Sequence, residues 1–160
     1  QAELKEILDN LKMEIPPFAR DSHLKAEISG KLYQLVQIRQ SAEKEFLDSG
    51  GHAWFDRVGL DFTDDLCLLK LYSKEGLYEI PCAFGRFEES VIDRGREKEP
   101  VAANAGWESP DTLVLTLYYT ETPFCETLTF RFHEGKITVK SVLNVAFGPR
   151  ERFTLEGVAV

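Results

Sequence analysis

The stretch from Gly106 to Pro149 decides the fold class, and it reads GWESPDTLVLTLYYTETPFCETLTFRFHEGKITVKSVLNVAFGP. Apolar residues occupy every second position in three successive runs. These residues are Leu113, Leu115, Leu117 and Tyr119; Leu128, Phe130 and Phe132; and Ile137 and Val139. A period of two is typical of strands with one buried face. The stretch therefore predicts antiparallel strands, with a hairpin turn at Glu134-Gly135 because Gly readily adopts a positive φ.

Short runs that are alternating or, from Leu66 to Tyr72, apolar on both faces apart from Lys70 lie outside this stretch, with turn residues between them. They predict strands over residues 32–36, 58–62, 66–72, 77–84 and 152–160. Residues 40–52 interrupt the pattern and predict a short helical segment or a long loop. The charges between Ser90 and Ala105 predict a solvated loop that follows at most one short strand. About eight or nine short strands at regular spacing are typical of a barrel or a sandwich.

The N-terminal region has a different pattern from the rest of the chain. Leu4, Ile7, Leu8 and Leu11 form one helical stripe, which predicts a short helix over residues 2–12. The helix should end before Pro16-Pro17, since proline cannot continue it. We therefore divide the chain into a helical connector, residues 1–22, and a β domain, residues 23–160.

Composition and charge disfavour several kinds of partner. The 160 residues carry a formal net charge of −8 and a sequence pI of about 5.0, so the surface repels phosphate backbones and anionic membranes. Neither a nucleic-acid partner nor a membrane partner is expected, and no apolar run approaches the roughly 20 residues of a spanning helix. Because the chain begins at Gln1 without an initiator Met, we expect it to be an excised or processed piece.

The three cysteines, Cys67, Cys82 and Cys125, do not form a zinc pattern or a disulfide framework. We expect each to be a small buried hydrophobic residue. A single Cys67–Cys82 bridge is the alternative, which depends on the distance between the two residues in the fold.

No complete catalytic or metal-binding pattern is present. Ser41 and Lys44 match the S-x-x-K motif of acyl-serine enzymes, and His133 begins H-E-G, but the intervening Y-x-N or S-x-N element of those enzymes is missing. His23 and His52 are far from His133 in sequence and lack zinc-site spacing. We therefore assign no catalytic residue, no metal ligand and no cofactor.

A binding site for a small apolar ligand is a further hypothesis. A barrel of about eight strands has an interior that holds packed side chains or one small ligand. The residues that would form the site are Trp54, Trp107, Tyr118, Tyr119 and Asn144. The preferred interpretation is that the aromatic residues fill the core. Asn144, between Leu143 and Val145 in a predicted strand, would either serve the site or bond a turn backbone.

Several sequence motifs resemble those of one bacterial domain family. They are residues 28–35 (ISGKLYQL), 106–107 (GW), 111–113 (DTL), 119–124 (YTETPF), 128–132 (LTFRF) and 144–149 (NVAFGP). The chain resembles the C-terminal β domain that follows the catalytic domain of bacterial serine hydrolases related to β-lactamases and penicillin-binding proteins. The similarity runs from Ile28 to the end and is strongest after Gly106.

The resemblance implies a mainly β, antiparallel, lipocalin-like barrel of eight to nine strands, preceded by the short N-terminal helix. It also implies a non-catalytic accessory domain, with a hydrolase catalytic domain as its partner in the same polypeptide. Such a domain would pack on the hydrolase, shape access to its active site, or hold part of the substrate. The alternative is a free-standing lipocalin-like carrier of a small apolar ligand.

Overall fold

The computed structural model describes residues 13–39, 54–95 and 97–160, and strands dominate it. Its elements are α1 (Lys25–Ile28), β1 (Leu32–Arg39), β2 (Arg57–Phe62), β3 (Leu66–Ser73), β4 (Gly76–Phe84), β5 (Glu88–Asp93), β6 (Lys98–Ser109), β7 (Thr112–Tyr119), β8 (Cys125–His133), β9 (Lys136–Leu143) and β10 (Glu151–Ala159). The predicted helix over residues 2–12 lies outside the described residues, and so does the predicted short helical segment or long loop over residues 40–52.

The strands form a closed nine-stranded barrel, which confirms the predicted fold class. The order around it is β4-β3-β2-β1-β10-β9-β8-β7-β6, and each of these neighbours pairs antiparallel. The ring closes through a parallel pairing of β4 with β6, at Ala83↔Asn104 and Phe84↔Ala105. The parallel closure was not expected from the sequence. The remaining strand, β5, pairs with the first half of β6.

The prediction of a solvated loop over residues 90–105 is wrong. The structure has β5 at Glu88–Asp93 and begins β6, which has 12 residues, at Lys98. The charged residues of this region are concentrated at the turn between these two strands. Residues 101–107 of β6 are all buried, so the strand lacks the alternation of apolar and polar residues by which the others are predicted.

Inward-facing side chains from every strand join one core cluster. Phe130, Leu113 and Leu115 are among its fully buried members. At Gly157 a β-carbon would lie 2.8 Å from Ile137 and 2.9 Å from Leu35, its register partners on β9 and β1, so the side chains of the two flanking strands close over the glycine. The interior is packed with the chain's own residues.

The N-terminal segment covers one end of the barrel, which we call the capped end. Ala19 forms a β-bridge with Trp107, with N–H to carbonyl distances of 2.9 and 2.7 Å. Phe18 lies directly over Gly106, and Ile28 of α1 is part of the core cluster. Residues 18–22, which the sequence assigned to the connector, therefore contact the β domain.

Replacing Gly106 tests this contact. A β-carbon there would lie 2.5 Å from the Cβ atom of Phe18, so Gly106→Ala must push the N-terminal segment away from β6. We expect a loss of about 1–3 kcal/mol in the free energy of unfolding, measured by urea denaturation. Gly148→Ala is the matched control, since a β-carbon there meets nothing within 4 Å. Equal stabilities of the two variants would contradict the capping contact.

Candidate functional site

Two loops lie side by side at the end of the barrel opposite the capped end, which we call the loop end. They join β7 to β8 (residues 120–124) and β9 to β10 (residues 144–150). Phe147 is fully exposed, while Val145 is 49% exposed and Phe124 is 39% exposed. These three side chains define the two-loop surface. A group of apolar side chains in water is typical of a contact surface.

Asn144 holds the two loops together. Its side-chain oxygen accepts a hydrogen bond from the Cys125 N–H at 2.8 Å, and its amide nitrogen donates to the Pro123 carbonyl at 3.0 Å. Its own backbone N–H donates to the Cys125 carbonyl at 2.9 Å. The prediction that Asn144 lies within a strand is wrong, because β9 ends at Leu143. The residue bonds loop backbone, which was one of the two roles expected for it.

Each loop is also closed by bonds of its own. In the first, Tyr119 N–H donates to the Phe124 carbonyl at 3.1 Å. In the second, the Leu143 N–H donates to the Arg150 carbonyl at 2.8 Å, and the Arg150 Nε donates back to the Leu143 carbonyl at 2.9 Å. Because so many bonds define their backbones, little conformational entropy remains to be lost when another surface covers them.

A buried carboxylate lies beneath the two-loop surface. Glu126 occupies an inward-facing position of β8, in phase with Leu128 and Phe130. The Tyr119 hydroxyl donates to its Oε2 atom at 2.6 Å, and the Ser141 hydroxyl donates to Oε1. Glu126 therefore links β7, β8 and β9 inside the barrel.

Arg152 supplies the positive charge that compensates Glu126. Its Nη1 atom lies 3.4 Å from Glu126 Oε1. The register of β10 against β9 shifts between Glu151 and Phe153, so Arg152 is the extra residue of a bulge. Bulges re-aim side chains, which explains how a residue next to the inward-facing Phe153 also reaches the interior. The Glu126 cluster, defined as Tyr119, Glu126, Ser141 and Arg152, flanks both loops at their bases.

The Glu126 cluster is suited to a structural role, in which it stabilises the fold, and not to proton transfer. Burial, and then the nearby Glu126 charge, raise the pKa of Tyr119 well above its ordinary value, so its phenol stays protonated and keeps donating. Three donors from three strands satisfy the two oxygens of Glu126. The sequence contains one signal for this cluster, because Glu126 interrupts an otherwise apolar inward-facing run.

The four aromatic residues predicted for a ligand site lie in separate places. Trp107 is 2% exposed and packs at the capped end, with ring centroids 5.9 Å from Phe62 and 6.0 Å from Phe132. Trp54 lies at the loop end, where it packs edge-on against Tyr78 and under Arg94. Tyr118 packs against Phe87, whereas Tyr119 belongs to the Glu126 cluster.

Two surface clefts accompany these contacts. One, of about 380 Å³, lies beside the N-terminal segment and includes Arg20 and Asp64. The other, of about 670 Å³, lies between the β3–β4 and β5–β6 turns and includes Tyr78 and Arg94. Neither cleft brings Trp107, Tyr118, Tyr119 or Asn144 together.

The residues weighed for chemistry fall in different regions. Ser41, Lys44 and His52 lie outside the described residues, and His133 is exposed at the end of β8. Within the described ranges, three or more His, Cys, Asp or Glu side chains do not come together in a group suited to a metal ion. In the same ranges, none of the helical structure has the length and apolar character that crossing a membrane requires.

Comparison with known proteins assigns no family. No protein-family model matches the chain, and no curated protein matches it by sequence.

Glu126→Gln tests the cluster. The amide adds an N–H donor where Tyr119 and Ser141 already donate, and it removes the negative charge that Arg152 contacts. We expect the free energy of unfolding to fall by about 2–4 kcal/mol. Glu156→Gln, at an exposed position of β10, is the matched control and should change stability little. If urea denaturation gave the same midpoint for both variants, the cluster would have no structural role.

Proposed function

We propose that the chain is a non-catalytic accessory domain of a bacterial β-lactamase-related serine hydrolase, and that it packs on the hydrolase domain through the two-loop surface. The observation that carries the proposal is the position of two motifs. The YTETPF motif, residues 119–124, and the NVAFGP motif, residues 144–149, are among those that suggested the family resemblance. They are distant in sequence yet adjacent in space, where Asn144 bonds one loop to the other.

The exposed apolar side chains support the same proposal. Burying apolar surface from Phe124, Val145 and Phe147 would contribute roughly 25 cal/mol per Å² removed from water. The loops beneath them are preorganised by Asn144 and by the Glu126 cluster, so docking causes little further loss of conformational entropy. Aromatic side chains at the centre of a contact often carry most of its energy. Phe147 is the best candidate for that role because it is fully exposed.

The packed interior favours this proposal over a free-standing carrier. A carrier needs a vacant apolar cavity large enough for its ligand. Here the inward-facing residues of all the strands form one core, and the predicted ligand-site residues are dispersed. We therefore do not propose the carrier as a second function.

Catalytic assays test the non-catalytic part of the proposal. We expect the chain to hydrolyse neither nitrocefin nor p-nitrophenyl acetate above the background rate. Ser41→Ala should give the same traces as the unaltered chain. Turnover that is lost in Ser41→Ala would contradict the proposal.

The partner is tested on the full-length protein. We expect the reading frame that encodes the chain to encode a β-lactamase-related hydrolase domain upstream. In that protein Phe147→Ser should increase the rate of limited proteolysis between the domains at least several-fold, because an apolar contact is lost. Val91→Ser is the matched control, since Val91 is 52% exposed on β5, outside the two loops. A reading frame without a hydrolase, or equal effects of the two variants, would overturn the proposal.

A further inference from the structure

Two of the three cysteines face each other across one pair of strands. Cys67 of β3 and Cys82 of β4 are direct partners in the antiparallel register. Cys67 lies in phase with the inward-facing Leu69 and Leu71, and Cys82 lies in phase with Ile80. Both thiols are therefore on the interior face of the barrel, and both residues are 0% exposed.

The hydrogen-bond phase of the strands gives the separation of this pair. The Phe84 N–H donates to the Asp65 carbonyl at 2.9 Å, and bonded pairs recur at every second position of an antiparallel ladder. Cys67 and Cys82 are the next bonded pair. Pro81, which has no N–H, occupies the non-bonded position opposite Leu68. Bonded pairs have Cα atoms about 5.5 Å apart, which lies inside the range of about 4.4–6.8 Å found in disulfides.

The β-carbons set a stricter condition than the α-carbons. In a hydrogen-bonded pair such as this one, directly opposite β-carbons are about 5.5 Å apart, whereas a disulfide brings them to about 3.8 Å. The two β-carbons must therefore approach each other by about 1.5–2 Å to make the bond. Disulfides that require such a shift are easier to reduce than relaxed ones.

The surroundings of the thiols determine when they react. Burial, and then the neighbouring Cys82 thiol, raise the pKa of Cys67, and burial raises the pKa of Cys82. A buried protonated thiol is a poor nucleophile, so the folded barrel protects both groups. The pair is therefore open to an oxidant only while the chain folds, before β3 and β4 are covered. Cys125 lies on β8, at the loop end, and is not paired with either residue.

We propose that Cys67 and Cys82 are a disulfide-forming pair, oxidised during folding by a low-molecular-weight disulfide such as oxidised glutathione. The thiolate of one cysteine attacks glutathione disulfide and releases one reduced glutathione. The thiolate of the other then attacks the mixed disulfide at the cysteine sulfur and releases the second. One protein disulfide forms, one glutathione disulfide is consumed, and the two protons lost by the cysteine thiols are taken up by the two released glutathione thiolates.

The bond stabilises the barrel by closing a loop in the unfolded chain. The β3–β4 hairpin already holds the two residues opposite each other, so the bond does not change the strand register of the native state. The bond lowers the conformational entropy of the unfolded chain by closing the loop from Cys67 to Cys82. The movement of the two strands costs part of the resulting stabilisation. We therefore expect the denaturation temperature to rise by about 5 °C. The bond also lies next to Ala83, whose pairing with Asn104 closes the barrel.

The experiment refolds the unaltered chain from urea in buffers with increasing ratios of oxidised to reduced glutathione. We expect the number of free thiols, counted in denaturant, to fall from three to one. Proteolytic mapping should give one cross-linked peptide that contains Cys67 and Cys82, with Cys125 free. Excess reduced glutathione during unfolding and refolding should restore three thiols. The oxidised form should unfold at the higher temperature.

Variants separate the pair from the third thiol. Cys125→Ser should still form the cross-link, whereas Cys67→Ala and Cys82→Ala should each keep two free thiols at every ratio. If a variant of the core fails to fold, the proteolytic mapping of the cross-link in the unaltered chain still tests the proposal. Three free thiols at every ratio, a cross-link that includes Cys125, or an oxidised form that unfolds at a lower temperature would each overturn the proposal.

Discussion

The amide of Asn104 donates hydrogen bonds to the carbonyl oxygens of Ala83 and Arg86, both at 2.9 Å, where β4 meets β6. The ladder at this point has two residue pairs and is parallel, in contrast to the longer antiparallel ladders around the rest of the ring. Asn104 is 2% exposed, and one of its two acceptors, the Arg86 carbonyl, belongs to the chain just after β4. A buried amide without partners would cost a few kcal/mol, so its two bonds and the closure depend on each other. Without closure, the inward-facing residues of β3, β4 and β6 would have no opposite wall to pack against.

The closed ring places chemically different groups at its two ends. At the capped end, the N-terminal segment contacts Trp107 through a backbone bridge and Gly106 through the Phe18 side chain, and its polar contacts, such as the Arg20–Asp65 ion pair, are exposed. At the loop end, the inward-facing positions carry the Glu126 cluster, and loops follow directly from it. A buried carboxylate with donors from several strands sets the spacing of those strands, because each donor must stay within hydrogen-bond distance. The apolar side chains of the two-loop surface are thus displayed on a rim whose geometry is determined from inside the barrel.

Alternation along the chain was sufficient to predict most strands, and it failed at a definable place. β8 and β9 have one buried and one more polar face, so period two is visible in their residues. In β6 the residues from Val101 to Trp107 are buried on both faces, and small residues such as Ala102 and Ala103 give no contrast. The charges at the β5–β6 turn then dominate the local composition and imitate a loop. The end of β9 was also misjudged, because the apolar Val145 and Phe147 beyond it extend the pattern into solvent.

The sequence by itself determined the mainly β character, the positions of most turns and the inward or outward phase of most strands. These are local properties, since side-chain period and turn conformation involve residues a few positions apart. Only the tertiary structure decided that β4 meets β6 in parallel, that Glu126 contacts Tyr119, Ser141 and Arg152, and that Asn144 joins two motif loops. Each of these contacts links separate strands or loops, and Arg152 enters its contact through a bulge. Which residues meet in these contacts depends on how the ring of strands closes. The spacing of residues along the chain does not predict that closure.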